Sequence, residues 1–260
     1  MVEIAISLAI IGIALVAIIG VLPIGMHTQR DNREETIINQ DATVLMEDIR
    51  NGVKSDTDLT NYVYAITNTW TYYVNGQTNS SGVNGYTVNP PSASVASGYW
   101  SQIGGIGTAP TSGTNIIGLL TTPEFQNSLG QTLGDWISGG NNTGYSNHVV
   151  AYVYSISGPA VEKPPQNNSL MQQGSFAYRL LCENMAVPLN PDTGATYAGD
   201  LQNNLYELRL AFFWPQQPNG SLGNLSQTFR TMVAGDLAPD HYQTNLFFFQ
   251  PQTFTTEATQ

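Results

Sequence analysis

The sequence predicts an α+β protein: a long N-terminal α-helix packed on an antiparallel β-sheet domain with long polar loops. Three observations carry this. Ile4–Met26 is a run of 23 residues without a charge. The next stretch repeats apolar residues at helical spacing. From residue 60 onward the chain breaks into short runs rich in β-branched and aromatic residues, separated by turn dipeptides. The organisation that follows is 1–26 as an apolar helix, 27–54 as an amphipathic helix entering the head, and 55–260 as a β-rich head domain.

The apolar run, IAISLAIIGIALVAIIGVLPIGM, is roughly 34 Å long as a helix, enough for a hydrocarbon core of about 30 Å. It is apolar on all sides. Glu3 stands at its start, where a carboxylate costs several kcal/mol unless it stays near an interface or meets a partner. A secretory signal peptide has a basic leader, a shorter apolar stretch and a small-residue cleavage site. Here an acid precedes the run and Pro23-Ile24-Gly25-Met26-His27 ends it, so the segment reads as retained. Gly20, Pro23 and Gly25 fall within six residues. Proline removes a backbone donor and costs about 3 kcal/mol in a helix interior, which predicts a kinked or locally melted stretch between about Gly12 and Gly25.

Ile38, Ala42, Leu45, Ile49 and Val53 then step by four, three, four and four residues, forming one apolar stripe. Asp31, Glu34, Glu35, Asp41, Glu47 and Asp48 are assigned to the other faces, and Gly52 weakens the last turn. Strands are predicted over 61–74, 147–157, 176–187, 205–214, 227–234 and 244–254. In 205–214, Tyr206, Leu208, Leu210, Phe212 and Trp214 share one face. Asn75-Gly76 and Asn84-Gly85 mark turns. Residues 75–115 read as a long decorated loop, and 123–136 as a short helix on the spacing of Phe125, Leu129, Leu133 and Trp136. Phe247–Phe249 cannot put three rings on one face, so a second surface must cover one side.

The 19 acidic and 8 basic residues give a net charge of −11, which disfavours nucleic acid as a partner. Charged residues are only 10% of the chain, and neutral polar residues replace them, as on many extracellular surfaces. Cys182 is the single cysteine, so no internal disulfide exists and a small buried hydrophobe is its simplest reading. No nucleophile elbow, phosphate loop or histidine–acid cluster is present, and no enzyme activity is expected. No cofactor is expected either. Asn190, Asp192 and Asp200 offer oxygen ligands for calcium, but their spacing is not that of an EF-hand and a plain Asx turn explains them better.

The start of the chain resembles the conserved segment of type IV pilins and type II secretion pseudopilins. The shared pattern is a glutamate, an unbroken apolar helix and a glycine nine residues after the glutamate; here these are Glu3, Ile4–Met26 and Gly12. The likeness is specific over residues 1–54 and general over the β domain. In the family the glutamate is the fifth residue of the mature chain. Here it is the third, so either two residues precede Met1 or the processed N-terminus differs. The resemblance implies a structural subunit, a homo-oligomer assembled as a helical filament. It further implies an inner-membrane assembly machinery and a prepilin peptidase as partners. The subunit would reside in the inner membrane before assembly and in an extracellular filament on the cell surface afterwards. The assembly residues are then Glu3, Met1, Gly12, Gly20 and Pro23, with Glu3 neutralised by the terminal amine of a neighbour. Two alternatives stand beside this: a minor pilin or pseudopilin at a filament tip, and a single-pass membrane-anchored binding module.

Overall fold

A computed structural model describes residues 2–52, 58–87, 113–127, 143–157, 176–187, 204–217, 220–240 and 246–254. It divides into two compact units, Met1–Gln40 and Asp41–Gln260. One helix, α1 (Val2–Asn51), supplies all of the described first unit and the opening of the second.

The stretch Gly12–Gly25 is helical throughout, Pro23 included. The expected melted segment is therefore corrected. A proline forfeits one hydrogen bond, while long aliphatic neighbours and the surrounding ladder keep the helical path. At the far end Gly52 adopts φ +58°, and its N–H donates to the Ile49 carbonyl at 3.1 Å. This is a left-handed glycine cap. A Cβ there would lie 2.5 Å from the Phe249 carbonyl oxygen, so Gly52 ends the helix rather than merely weakening it.

The second unit is built on a seven-stranded antiparallel sheet. Its strands are β1 (Val63–Val74), β2 (Gln77–Thr87), β3 (Phe125–Asn127), β4 (Gly144–Tyr154), β5 (Ala177–Ala186), β6 (Leu205–Gln216) and β7 (Leu222–Ala234), in the order β2-β1-β4-β5-β6-β7. β3 pairs with residues 144–146 of β4, and β5 pairs with residues 149–154, so the two share one row. A second, two-stranded sheet joins β8 (Asp236–Pro239) to β9 (Phe247–Gln250). The short helix α2 (Gly113–Leu120) buries Ile116, Ile117, Leu119 and Leu120.

The expected strands are present, with moved ends. Tyr206, Leu208, Leu210, Phe212 and Trp214 are all buried, as the alternation requires. Ala42, Leu45 and Ile49 of α1 are buried within the second unit; Val53 lies outside the described residues. The loop expected over 75–115 is corrected in part. Asn75 (φ 49°) and Gly76 (φ 72°) form a two-residue hairpin turn that matches the strand twist. It folds 77–87 back on β1, and ladder pairing overrides the weak strand propensity of Gly, Ser and Asn. The helix expected over 123–136 is also corrected where it is described. Pro123 offers no donor, the Glu124 N–H donates to the Asn184 carbonyl at 2.8 Å, and Phe125–Asn127 is strand. Among the described residues of 244–254, Phe247–Gln250 is strand, and its partner β8 lies in a stretch that carried no strand prediction.

All three rings of Phe247–Phe249 are buried. Phe249 meets Tyr206 edge-on at 5.5 Å. The Phe248 ring lies over Gly118 of α2, where a Cβ would come within 2.7 Å of it. The two faces of this strand are thus covered by the main sheet and by α2.

Candidate assembly segment

Every residue of α1 from 2 to 33 whose burial is described is exposed. Fourteen of them between Val2 and Met26 are large hydrophobics, 53% to 72% accessible. Burying such side chains stabilises by ~1.5–3 kcal/mol each, so the set is worth roughly 20–40 kcal/mol when covered. That exceeds the ~5–15 kcal/mol that holds a whole domain together. An exposed apolar surface of this size favours cover by a membrane or by another apolar surface. It is long and apolar enough to cross a membrane.

The polar groups within it suit an apolar surrounding. Ser7 Oγ donates to the Ile4 carbonyl at 3.0 Å, which satisfies the hydroxyl inside its own helix. Glu3 lies in the first turn, where the helix dipole favours a negative charge. Just past the apolar run, Arg30 Nε meets Glu34 Oε1 at 2.7 Å, and this carboxylate raises the Arg30 pKa.

At about 100° per residue, Ala5, Ala9, Gly12, Gly20 and Pro23 project within an arc of roughly 80°. Glu3 projects from the opposite side. A Cβ placed on Gly12, Gly20 or Gly25 would meet nothing within 4 Å. Among the described residues, nothing requires glycine at these positions. Of the expected site residues, Glu3, Gly12, Gly20 and Pro23 therefore lie on one exposed helix, three on one face and the acid across from them. Met1, Asn190, Asp192 and Asp200 lie outside the described residues. Among the described residues, no group of three or more His, Cys, Asp or Glu is placed to hold a metal.

The second unit contains an acid whose place the helical pattern missed. Asp41, assigned above to a polar face, is fully buried; this corrects the reading. Its carboxylate accepts the N–H groups of Ile156 and Ser157 at 2.9 Å each, and the Ser157 hydroxyl as well. Desolvation pushes its pKa up, and these hydrogen bonds pull it part of the way back. Tyr178, wholly buried, is raised well above its ordinary value by desolvation and then by the Asp41 charge. The signal was available in the spacing: Asp41 is three residues after Ile38 and four before Leu45, on the flank of the apolar stripe. Cys182 is buried, and desolvation followed by the Glu183 charge raises its thiol pKa, as an inert core position requires.

On the other face of the sheet, Arg209 bonds Glu183 at 2.9 Å and Glu207 at 3.2 Å. Glu124 lies close to Glu183. Desolvation first, then the Glu183 charge, raises it from 4.5 to about 7 against the opposing pull of Arg209. Its folded pKa lies above its unfolded one, so its contribution to stability is complete below about pH 4.5 and is lost as pH rises through about 7. After allowance for partial solvent screening this is worth about 1–2 kcal/mol. The melting temperature of the head is expected to rise by a few degrees between pH 8 and pH 5.5. Glu124→Gln should be the more stable form at pH 8 and should flatten the dependence, as read by circular dichroism melts. An unchanged slope in the variant would remove Glu124 as its source.

No family model, curated protein or solved structure matches this chain.

Proposed function

We propose that this chain is the structural subunit of a type IV pilus-like extracellular filament, polymerising through the apolar part of α1. One observation carries the reading: an uninterrupted apolar helix with every described side chain exposed, joined to a folded sheet domain. A membrane covers such a helix before assembly. A bundle of identical helices covers it afterwards, at the same gain per unit of apolar area and with closer packing where side chains are small.

The disposition of residues around the helix favours a polymer over a closed pair. The small-residue face Ala5–Ala9–Gly12–Gly20 admits one neighbouring helix closely. Glu3, across from it, faces a different neighbour, whose terminal amine neutralises it. Contacts made by two unlike surfaces extend beyond a pair, into a ring or, where the rotation does not close, into a helical filament. On this reading the protein resides in the inner membrane until an assembly machinery moves it into the filament, and it works by packing rather than catalysis.

Sheared surface material examined by electron microscopy, with the subunit's first residue read by mass spectrometry, tests the proposal. Abundant fibres made mainly of this chain support it. A soluble, unassembled particle, or fibres in which the chain is scarce, would defeat it as a major subunit.

The small face gives a second test. Gly12→Leu and Gly20→Leu raise intrinsic helix propensity by nearly 1 kcal/mol, so any loss of fibre cannot come from a weakened helix. Each is expected to lower fibre yield about tenfold, the equivalent of 1.4 kcal/mol lost per contact. Ile11→Leu, off this face and equal in volume, should be tolerated better. Equal yields from all three would show that helix approach does not depend on this face.

A further inference from the structure

We propose that Asn79 and Asn224 carry N-linked oligosaccharides, one on β2 and one on β7. The inference rests on the filament reading in one respect: the head must be carried out of the cytoplasm to meet the sugar donor.

Asn-x-Ser and Asn-x-Thr, with x other than proline, are the acceptor pattern for this modification. The chain contains it at Asn79-Ser80-Ser81, Asn141-Asn142-Thr143, Asn167-Asn168-Ser169, Asn219-Gly220-Ser221 and Asn224-Leu225-Ser226. So short a pattern arises by chance in a chain rich in Asn and Ser, and its place in the fold must decide. Asn141, Asn167 and Asn219 lie outside the described residues. Asn79 and Asn224 lie on the first and last strands of the row β2-β1-β4-β5-β6-β7. Asn79, Ser80 and Ser81 are all exposed, and so are Asn224, Leu225 and Ser226. Each acceptor is therefore open over its whole length.

Both asparagines also sit where the ladder is broken. Tyr72 pairs with Ser80 and Tyr73 with Thr78, so Asn79 is the extra residue of β2. Trp214 pairs with Leu225 and Gln216 with Leu222, so Gly223 and Asn224 together stand opposite Pro215. The extra residue of a bulge is released from regular pairing. A Cβ on Gly223 would come within 2.4 Å of Pro215 Cδ, so that half of the second bulge is shut against β6 and Asn224 is the open half. An amide in such a place is reached by an enzyme without unpairing the sheet. The donor is an oligosaccharide held on a lipid diphosphate. Asn Nδ2 bonds to C1 of the first sugar, the bond from C1 to the diphosphate oxygen breaks, Nδ2 gives up one proton, and the lipid diphosphate leaves.

The position gives the sugar a physical role. Outer strands are guarded by charges, prolines or bulges. β2 spans 11 residues and β7 spans 13, and neither contains Lys or Pro. The single charge on the two strands, Arg230, lies 3.8 Å from Glu207 of its own chain. Each strand has its bulge, and a bulky hydrated chain attached there adds to it the solvation that charge supplies elsewhere. In a fibre the sugars hold neighbouring fibres apart.

Glycopeptide mass spectrometry of the full-length chain, taken from the membranes and sheared material of the cells that make it, tests this. The peptides bearing Asn79 and Asn224 are each expected to carry one oligosaccharide mass. Asn79→Gln and Asn224→Gln should each remove one addition, and the double variant should run as the bare chain and give bundled fibres. Ser81→Ala and Ser226→Ala should remove the same additions with the asparagine still present, while Ser81→Thr and Ser226→Thr keep them. All four positions are exposed, so the circular dichroism of the head should not change. A bare peptide at either asparagine of the wild type overturns the proposal. So does a sugar that survives the Gln variants, which would be attached to a hydroxyl. Abundant fibres of the bare chain would remove the modification and leave the filament reading intact. A glycosylated chain that never forms fibres would do the reverse.

Discussion

Replacing Glu3 by Ala or Gln is expected to leave a folded, membrane-bound subunit and to cut filament yield at least about tenfold. In an apolar bundle a carboxylate and a neighbour's amine stabilise each other only as a pair. Removing one partner strands the other charge, at roughly 3–5 kcal/mol. Even a third of that penalty at each added subunit is enough for the expected fall. Gln keeps the size and hydrogen-bonding capacity and loses only the charge, so Gln and Ala should fail alike. Asp, which keeps the charge one methylene short, should restore part of the yield. The readouts are fibre mass in sheared material and subunit retained in the membrane fraction. Wild-type yield from both Glu3→Ala and Glu3→Gln would remove the charge from the account of assembly. Loss of the subunit from the membrane as well would point to a fault before polymerisation.

The second large effect concerns the head. Asp41→Ala is expected to cost about 2–4 kcal/mol of stability, because it leaves the Ile156 and Ser157 N–H groups without their acceptor. For a domain of this size that is a fall in melting temperature of roughly 5–15 °C. Asp41→Asn keeps one acceptor oxygen and should fall between. The wild-type carboxylate has a raised pKa, since desolvation outweighs its hydrogen bonds. Its contribution is therefore complete below its unfolded pKa and declines as pH rises through the folded one, so the wild type should lose part of its advantage over Asn as pH rises. Thermal melts of the full chain in detergent, followed by circular dichroism at two pH values, read both effects. A melting temperature for Asp41→Ala within a degree of wild type would show the contact to be idle.

Several elements were legible before any coordinates. The apolar run, the stripe through Ala42, Leu45 and Ile49, and the alternating face of β6 follow from periodicities of 3.6 and 2, which depend only on local geometry. The turn at Asn75-Gly76 was legible too, yet the strand beyond it was not. Gln77–Thr87 is rich in Gly, Ser and Asn and gains its extended form from β1 rather than from propensity. The same cause replaces the start of the helix expected over 123–136: the sheet captures the backbone at Glu124 and Phe125–Asn127, and 128–136 lies outside the described residues.

The assembly segment divides along the same line. Composition and spacing alone determined that residues 4–26 form an apolar rod with an acid at its head, because hydrophobic length and charge are local properties of a chain. The folded molecule decided that Pro23 does not break that rod and that Asp41 is buried. The first is settled by the helical ladder around the proline, the second by the distant Ile156 and Ser157 N–H groups that Asp41 meets, and partners brought together across more than a hundred positions leave no periodic trace in the sequence.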